Sequence, residues 1–91
     1  MSATRAEFRA AFEAFAGSES EHDAVARFAA DLAASRQYEA DTGRPLTPAE
    51  ATEHLRDAPD ERVASRWNWW MGSLDLAYGG YGEFVVRRWR A

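Results

Sequence analysis

Val63, Trp67, Trp70, Met71, Leu74 and Tyr78 stand at offsets of 0, 4, 7, 8, 11 and 15 along the chain. This series keeps the 3.6-residue period of an α-helix for about four turns. Trp69 and Leu76 stand off the stripe, seven residues apart, and widen the apolar face. A helix this apolar has to be covered from several sides. The spacing predicts it over about residues 60–78, opened by Asp57 or Asp60, and makes it the spine of the fold.

The covering elements are helices too, because three further helix starts carry capping chemistry. Thr4-Arg5-Ala6-Glu7 has the capping-box spacing, in which the Thr oxygen accepts the third amide and the Glu reaches back. Phe8, Phe12 and Phe15 then form one stripe, and Gly17 supplies the stop. Ser18-Glu19-Ser20-Glu21 repeats the box ahead of Val25, Phe28, Ala29 and Leu32, with Glu21, Arg27, Asp31 and Gln37 on the opposite side. Thr47-Pro48-Ala49-Glu50 combines an N-cap Thr, a Pro at the first helical position and an acid at the third. The predicted helices are therefore 4–16, 19–40, 48–57 and 60–78. Only eight residues are β-branched, four Val and four Thr, which argues against a sheet.

The fold class that follows is all-α: one domain over residues 1–91, a four-helix bundle-like body with a glycine hinge at Gly79-Gly80-Tyr81-Gly82. The tail from Glu83 to Ala91 is read as a short helix in preference to a strand. The core has to be aromatic. Ala accounts for 19 of the apolar residues, Leu, Val and Phe together for 14, and Ile is absent, whereas four Trp occur in 91 residues. The rings must supply much of the buried area, at about 25 cal/mol per Å².

Charge divides the chain. Residues 1–61 hold six Arg against thirteen acids, or −7, and residues 62–91 hold five Arg against two acids, or +3. All basic residues are Arg, and with the lack of Ile this suggests a GC-rich genome. No cysteine is present, so thiolate chemistry and disulfides are excluded. No apolar run is long enough to span a bilayer and the N-terminus has no signal-peptide layout, so a cytoplasmic protein is expected.

Catalytic and metal patterns are thin. Glu19-x-x-His22 has the spacing of two metal ligands on one helix face, but the corresponding place ahead of His54 is Ala51, and acids in a first turn serve the helix dipole unaided. His54 has Glu50 four residues before it and Asp57 three after, yet no nucleophile stands beside it. Gly79-Gly80-x-Gly82 fits neither the dinucleotide nor the Walker pattern and reads as a turn. No catalytic residue, metal or other cofactor is expected.

What remains is an excess of rings and guanidinium groups late in the chain. Trp69 and Trp89 are not needed by the core stripe, and Arg flanks both. Large aromatics with Arg are enriched at protein interfaces. The expected function is a non-catalytic interaction module that binds a protein partner or a second copy of itself. Its contact surface would use Trp69, Tyr81, Phe84 and Trp89 with Arg66, Arg87, Arg88 and Arg90 as the rim. The alternatives are a nucleic-acid-binding regulator using the C-terminal Arg/Trp segment, which the acidic total disfavours, and a small-molecule site or minor enzyme around His54.

Overall fold

The computed structural model describes residues 2–87. The chain forms α1 (Arg5–Ala11), a 3-10 turn (Phe12–Ala14), α2 (Glu19–Ser35), α3 (Gln37–Thr42), α4 (Pro48–Arg56), α5 (Val63–Tyr78) and a second 3-10 turn (Gly82–Phe84). The bundle is all-α. It has five α-helices where the sequence predicts four, and no strand among the described residues beyond one isolated bridge between Ala16 and Arg62.

The three self-capped starts form where expected. Thr4 and Glu7 close the complete box at α1, Ser18 accepts the Glu21 amide at α2, and Thr47 accepts the Glu50 amide at α4. The other boundaries shift, each for a tertiary reason. The first helix ends at Ala11 instead of about residue 16 because the carbonyls of its last turn find other partners. His22 Nε2 lies 3.1 Å from Phe12 O and 2.9 Å from Phe15 O, and the Val63 amide donates to Ala16 O at 2.7 Å. Gly17 is consequently not a helical stop. It lets the chain pass close by, since a Cβ there would lie 3.0 Å from Val63 Cγ1.

The expected 19–40 helix breaks at Arg36, which takes a left-handed conformation with φ 63°. Ser35 Oγ donates to Leu32 O and accepts the Gln37 amide, which closes the turn locally. The redirected α3 then carries Tyr38 into the core, edge-on to Trp70 at 5.5 Å between ring centres.

α5 starts at Val63, three residues later than expected, and has no side-chain cap of its own. Glu21 supplies one from α2: its Oε2 accepts the Ala64 amide at 3.0 Å, and its Oε1 accepts from Arg62 Nε at 3.0 Å and from Arg62 Nη2. Glu21 is fully buried, whereas its place opposite the apolar stripe had predicted exposure. The spine role is shared: α2 packs against α1, α3 and α5, whereas α1 packs mainly on α2 and α4 and not on α5 as expected. Trp67, Trp70, Met71 and Leu74 of α5 are buried, the helix packing on α2, α4 and the second 3-10 turn, and Phe12 of the first 3-10 turn lies 6.4 Å from Trp67.

Gly79 and Gly80 both have φ near +80°, a turn that suits glycine, and Gln37 Nε2 donates to Gly80 O at 2.8 Å. The tail folds back from this turn. A single 3-10 turn and an irregular stretch over 85–87, extended at Val85, replace the expected helix up to Arg87, and its remainder, residues 88–91, lies outside the described residues.

Candidate interaction surface

Each letter of the Trp67-Asn68-Trp69-Trp70 run does a different job. Trp67 is fully buried and its indole N–H donates to Phe84 O at 2.8 Å. Asn68 clamps Val86 with both ends of its amide. Its Nδ2 donates to Val86 O and its Oδ1 accepts the Val86 amide, each at 2.8 Å, as a neighbouring strand would. Trp70 is buried against Tyr38 and Trp67, and His54 lies flat on it at 4.7 Å. Trp69 points out of the bundle and is 39% exposed.

Of the expected contact residues, Trp69 is at the surface and Arg87 is exposed; Arg88, Trp89 and Arg90 lie outside the described residues. Three others do not belong to a surface. Tyr81 is fully buried: its hydroxyl donates to Asp41 Oδ2 at 2.7 Å and its amide to Asp75 Oδ1 at 3.0 Å. Burial first, then the bond to the Asp41 carboxylate, pushes its phenol far above the ordinary tyrosine range. Phe84 packs beside it, 6.5 Å between ring centres. Arg66 is half-buried and serves the fold. Its guanidinium donates to Leu55 O at 2.8 Å and Glu61 O at 3.2 Å and lies 4.8 Å over the Phe15 ring. The turn at Gly79–Gly80 explains the two aromatic misassignments, because it drops the following residues back onto α5 instead of presenting them to solvent.

The sequence reading placed Leu76 on the widened apolar face of the helix and not among the contact residues. It is 92% exposed and shares the outward face of α5 with Trp69, Gly72 and Ser73. The only signal was its displacement from the core stripe in step with Trp69. Tyr78, placed on that stripe by its spacing, is half-exposed at the end of α5.

The other candidates resolve as architecture. Both ring nitrogens of the buried His22 face backbone carbonyls: Nδ1 is 3.0 Å from Ser18 O, and Nε2 meets Phe12 O and Phe15 O. Carbonyl oxygens only accept, so neither nitrogen is free for a metal. Among the described residues no group of three His, Asp or Glu is arranged to hold a metal ion. His54 Nε2 lies 3.6 Å from Glu50 Oε2, which also accepts from the Tyr38 hydroxyl at 2.7 Å. Burial and that carboxylate hold the Tyr38 phenol far above its usual range. Asp57, the second expected neighbour of His54, caps the end of α4 with its backbone. The cluster ties α3 to α4, and His54 lines neither of two surface depressions: one of about 290 Å³ beside Tyr38 and Leu46, and one of about 430 Å³ between Phe28, Val85, Arg27 and Arg87.

No curated protein and no solved structure matches the chain. A family model, the WNWW domain, matches residues 1–75, which include α1 to α4, most of α5 and the Trp67–Trp70 run that spells its name. The chain thus belongs to the WNWW domain family.

Proposed function

We propose that this WNWW domain is a non-catalytic protein–protein interaction module whose contact surface is the outward face of α5. The observation that carries the reading is Leu76. A leucine 92% exposed, on the same helix face as a 39% exposed tryptophan, is apolar surface that the bundle itself leaves uncovered. From Trp69 to Leu76 the one ionisable residue is Asp75, although 29% of the chain is charged. This face replaces the tail-centred surface of the sequence reading, whose Tyr81, Phe84 and Arg66 are engaged inside the fold. Work in the cytoplasm fits the lack of cysteine, and among the described residues no helix is long and apolar enough to cross a membrane.

A photo-reactive residue placed at Ser73, between the two anchors, tests the proposal in cells producing the chain. A covalent protein adduct is expected from Ser73 and none from the exposed Ala10 on α1. Absence of any adduct at Ser73 removes the reading.

A further inference from the structure

We propose that the chain carries a separate binding site, a shallow basic track along α2 that takes a short, extended, acidic segment of another protein. The track shares no residue with the outward face of α5 and stands whether or not that face binds.

Two depressions join to make it. One, of about 430 Å³, lies between α2 and the folded-back tail; the other, of about 230 Å³, lies between α2 and the start of α1. Arg27 lines both, so they meet at its side chain. Ser20, Ala24, Arg27 and Phe28 share one face of α2 and cover a little over two turns, or about 12 Å of helix. Ala24, Phe28 and Val85 are half-buried and packed on the core, which gives the track an apolar floor.

The arginines along this floor have no acid of their own. Among the described residues Arg9, Arg36, Arg44 and Arg62 are paired with carboxylates, and Arg66 is held by backbone carbonyls. Arg5, Arg27, Arg56 and Arg87 have no such partner, and three of these four line the track. Its two acids leave them unbalanced: Asp23 is already held by Arg9 at 2.7 Å, and Glu83 pairs with none of the three. The chain carries −4 overall, so this line of guanidinium groups is a local excess of the opposite sign. More distant surface acids weaken it little, because exposed charges are screened beyond about 8 Å at physiological salt. Arg27 is also held in place, its guanidinium lying 5.3 Å over the Phe28 ring, which lowers the ordering cost of binding.

Chemistry and shape then choose the occupant. A guanidinium group meets a carboxylate with paired N–H bonds. An extended chain advances about 3.3 Å per residue, so about four to six residues run the length of the track. Carboxylates would meet the arginines while aliphatic side chains rest on Phe28 and Val85. Both depressions are open along their length, which suits a laid-on segment better than an enclosed small molecule. Single-stranded nucleic acid fits less well, because it needs a free ring to stack a base on and Arg27 covers the Phe28 ring.

Fluorescence polarisation of the purified chain against a fluorescein-labelled hexapeptide of glutamates and leucines tests this. Saturable binding is expected below about 1 mM chain at low salt. The same peptide with glutamine for glutamate should bind at least about tenfold more weakly. Arg27→Gln and Arg87→Gln should each weaken the acidic peptide about three- to tenfold with unchanged melting curves, and Glu83→Gln should tighten it about twofold. Leu76→Ser on the α5 face should change nothing. No saturable binding at about 1 mM, equal binding of the glutamine peptide, or indifference to both arginine substitutions overturns the proposal. So does weakening by Leu76→Ser, which would place the peptide on α5, or tighter binding of a thymidine hexanucleotide, which would make the track a nucleic-acid site.

Discussion

Asn68 shows how one residue can hold an element that has no structure of its own. Among the described residues the tail after Gly80 has one 3-10 turn and no strand partner, and Val86 is held by two hydrogen bonds from one side-chain amide. Asn68→Ala should cost about 1–2 kcal/mol, because it leaves a buried amide and carbonyl unpaired. The readouts are a melting temperature lower by about 5–10 °C and faster exchange of the Val86 amide. His22 is the counterpart in the first half of the chain. Its two ring nitrogens tie the start of α2 to the segment after α1, through Ser18 O on one side and Phe12 O and Phe15 O on the other. Neither role could be read from the sequence. An Asn within a Trp run and a His in a first turn look like ordinary helix-surface residues until the segments they hold are in place.

At the scale of elements, the sequence reading succeeded where the determining chemistry is local. Thr4, Ser18 and Thr47 cap helices with residues three positions away, so those starts are visible in four letters. It failed where distant residues decide. The α2–α3 break at Arg36 leaves no mark in the sequence, since Arg is a good helix former and the neighbouring pattern continues through it. The driving contact is Tyr38 reaching Trp70 and Glu50. That break carries a local cost, because a left-handed non-glycine residue is disfavoured by roughly 1–2 kcal/mol. Arg36→Gly should therefore raise stability by about 0.5–1 kcal/mol in denaturant unfolding, the loss of the exposed Arg36–Glu39 pair counting for little. The proposed contact face was half legible for the same reason. Trp69 and Leu76 betray themselves by helical phase, whereas Tyr81 and Phe84 were drawn inward by a glycine turn whose direction sequence does not state.

For the whole molecule, the expectation was that so small a helical body could not hide its late aromatic residues. It hides most of them, because the tail is folded over α5 as a cover and Trp67, Trp70, Tyr81 and Phe84 share one core with Phe8 and Phe12. A core rich in rings has a consequence for pH. The phenols of Tyr38 and Tyr81 are both raised above their ordinary value of 10.0, by burial first and by carboxylate-bonded hydroxyls second. The folded chain keeps these protons after the unfolded chain begins to lose them. Their contribution is thus fully present below pH 10 and declines as pH rises past it. Each phenol adds a loss of about 1.4 kcal/mol per pH unit above that point. Urea unfolding from pH 9 to 12 should show this decline, and Tyr38→Phe should reduce its slope by about half.

The cap that Glu21 lends to α5 also sets an order in time. α2 and α4 carry their own N-terminal caps and can begin to coil alone, but the first turn of α5 lacks one and depends on a carboxylate more than forty positions upstream. α5 is therefore not an independent seed but a late arrival, whose start becomes stable only when α2 is in place beside it. In stopped-flow kinetics, Glu21→Gln should accelerate unfolding far more than it slows folding, the mark of a contact made after the rate-limiting step.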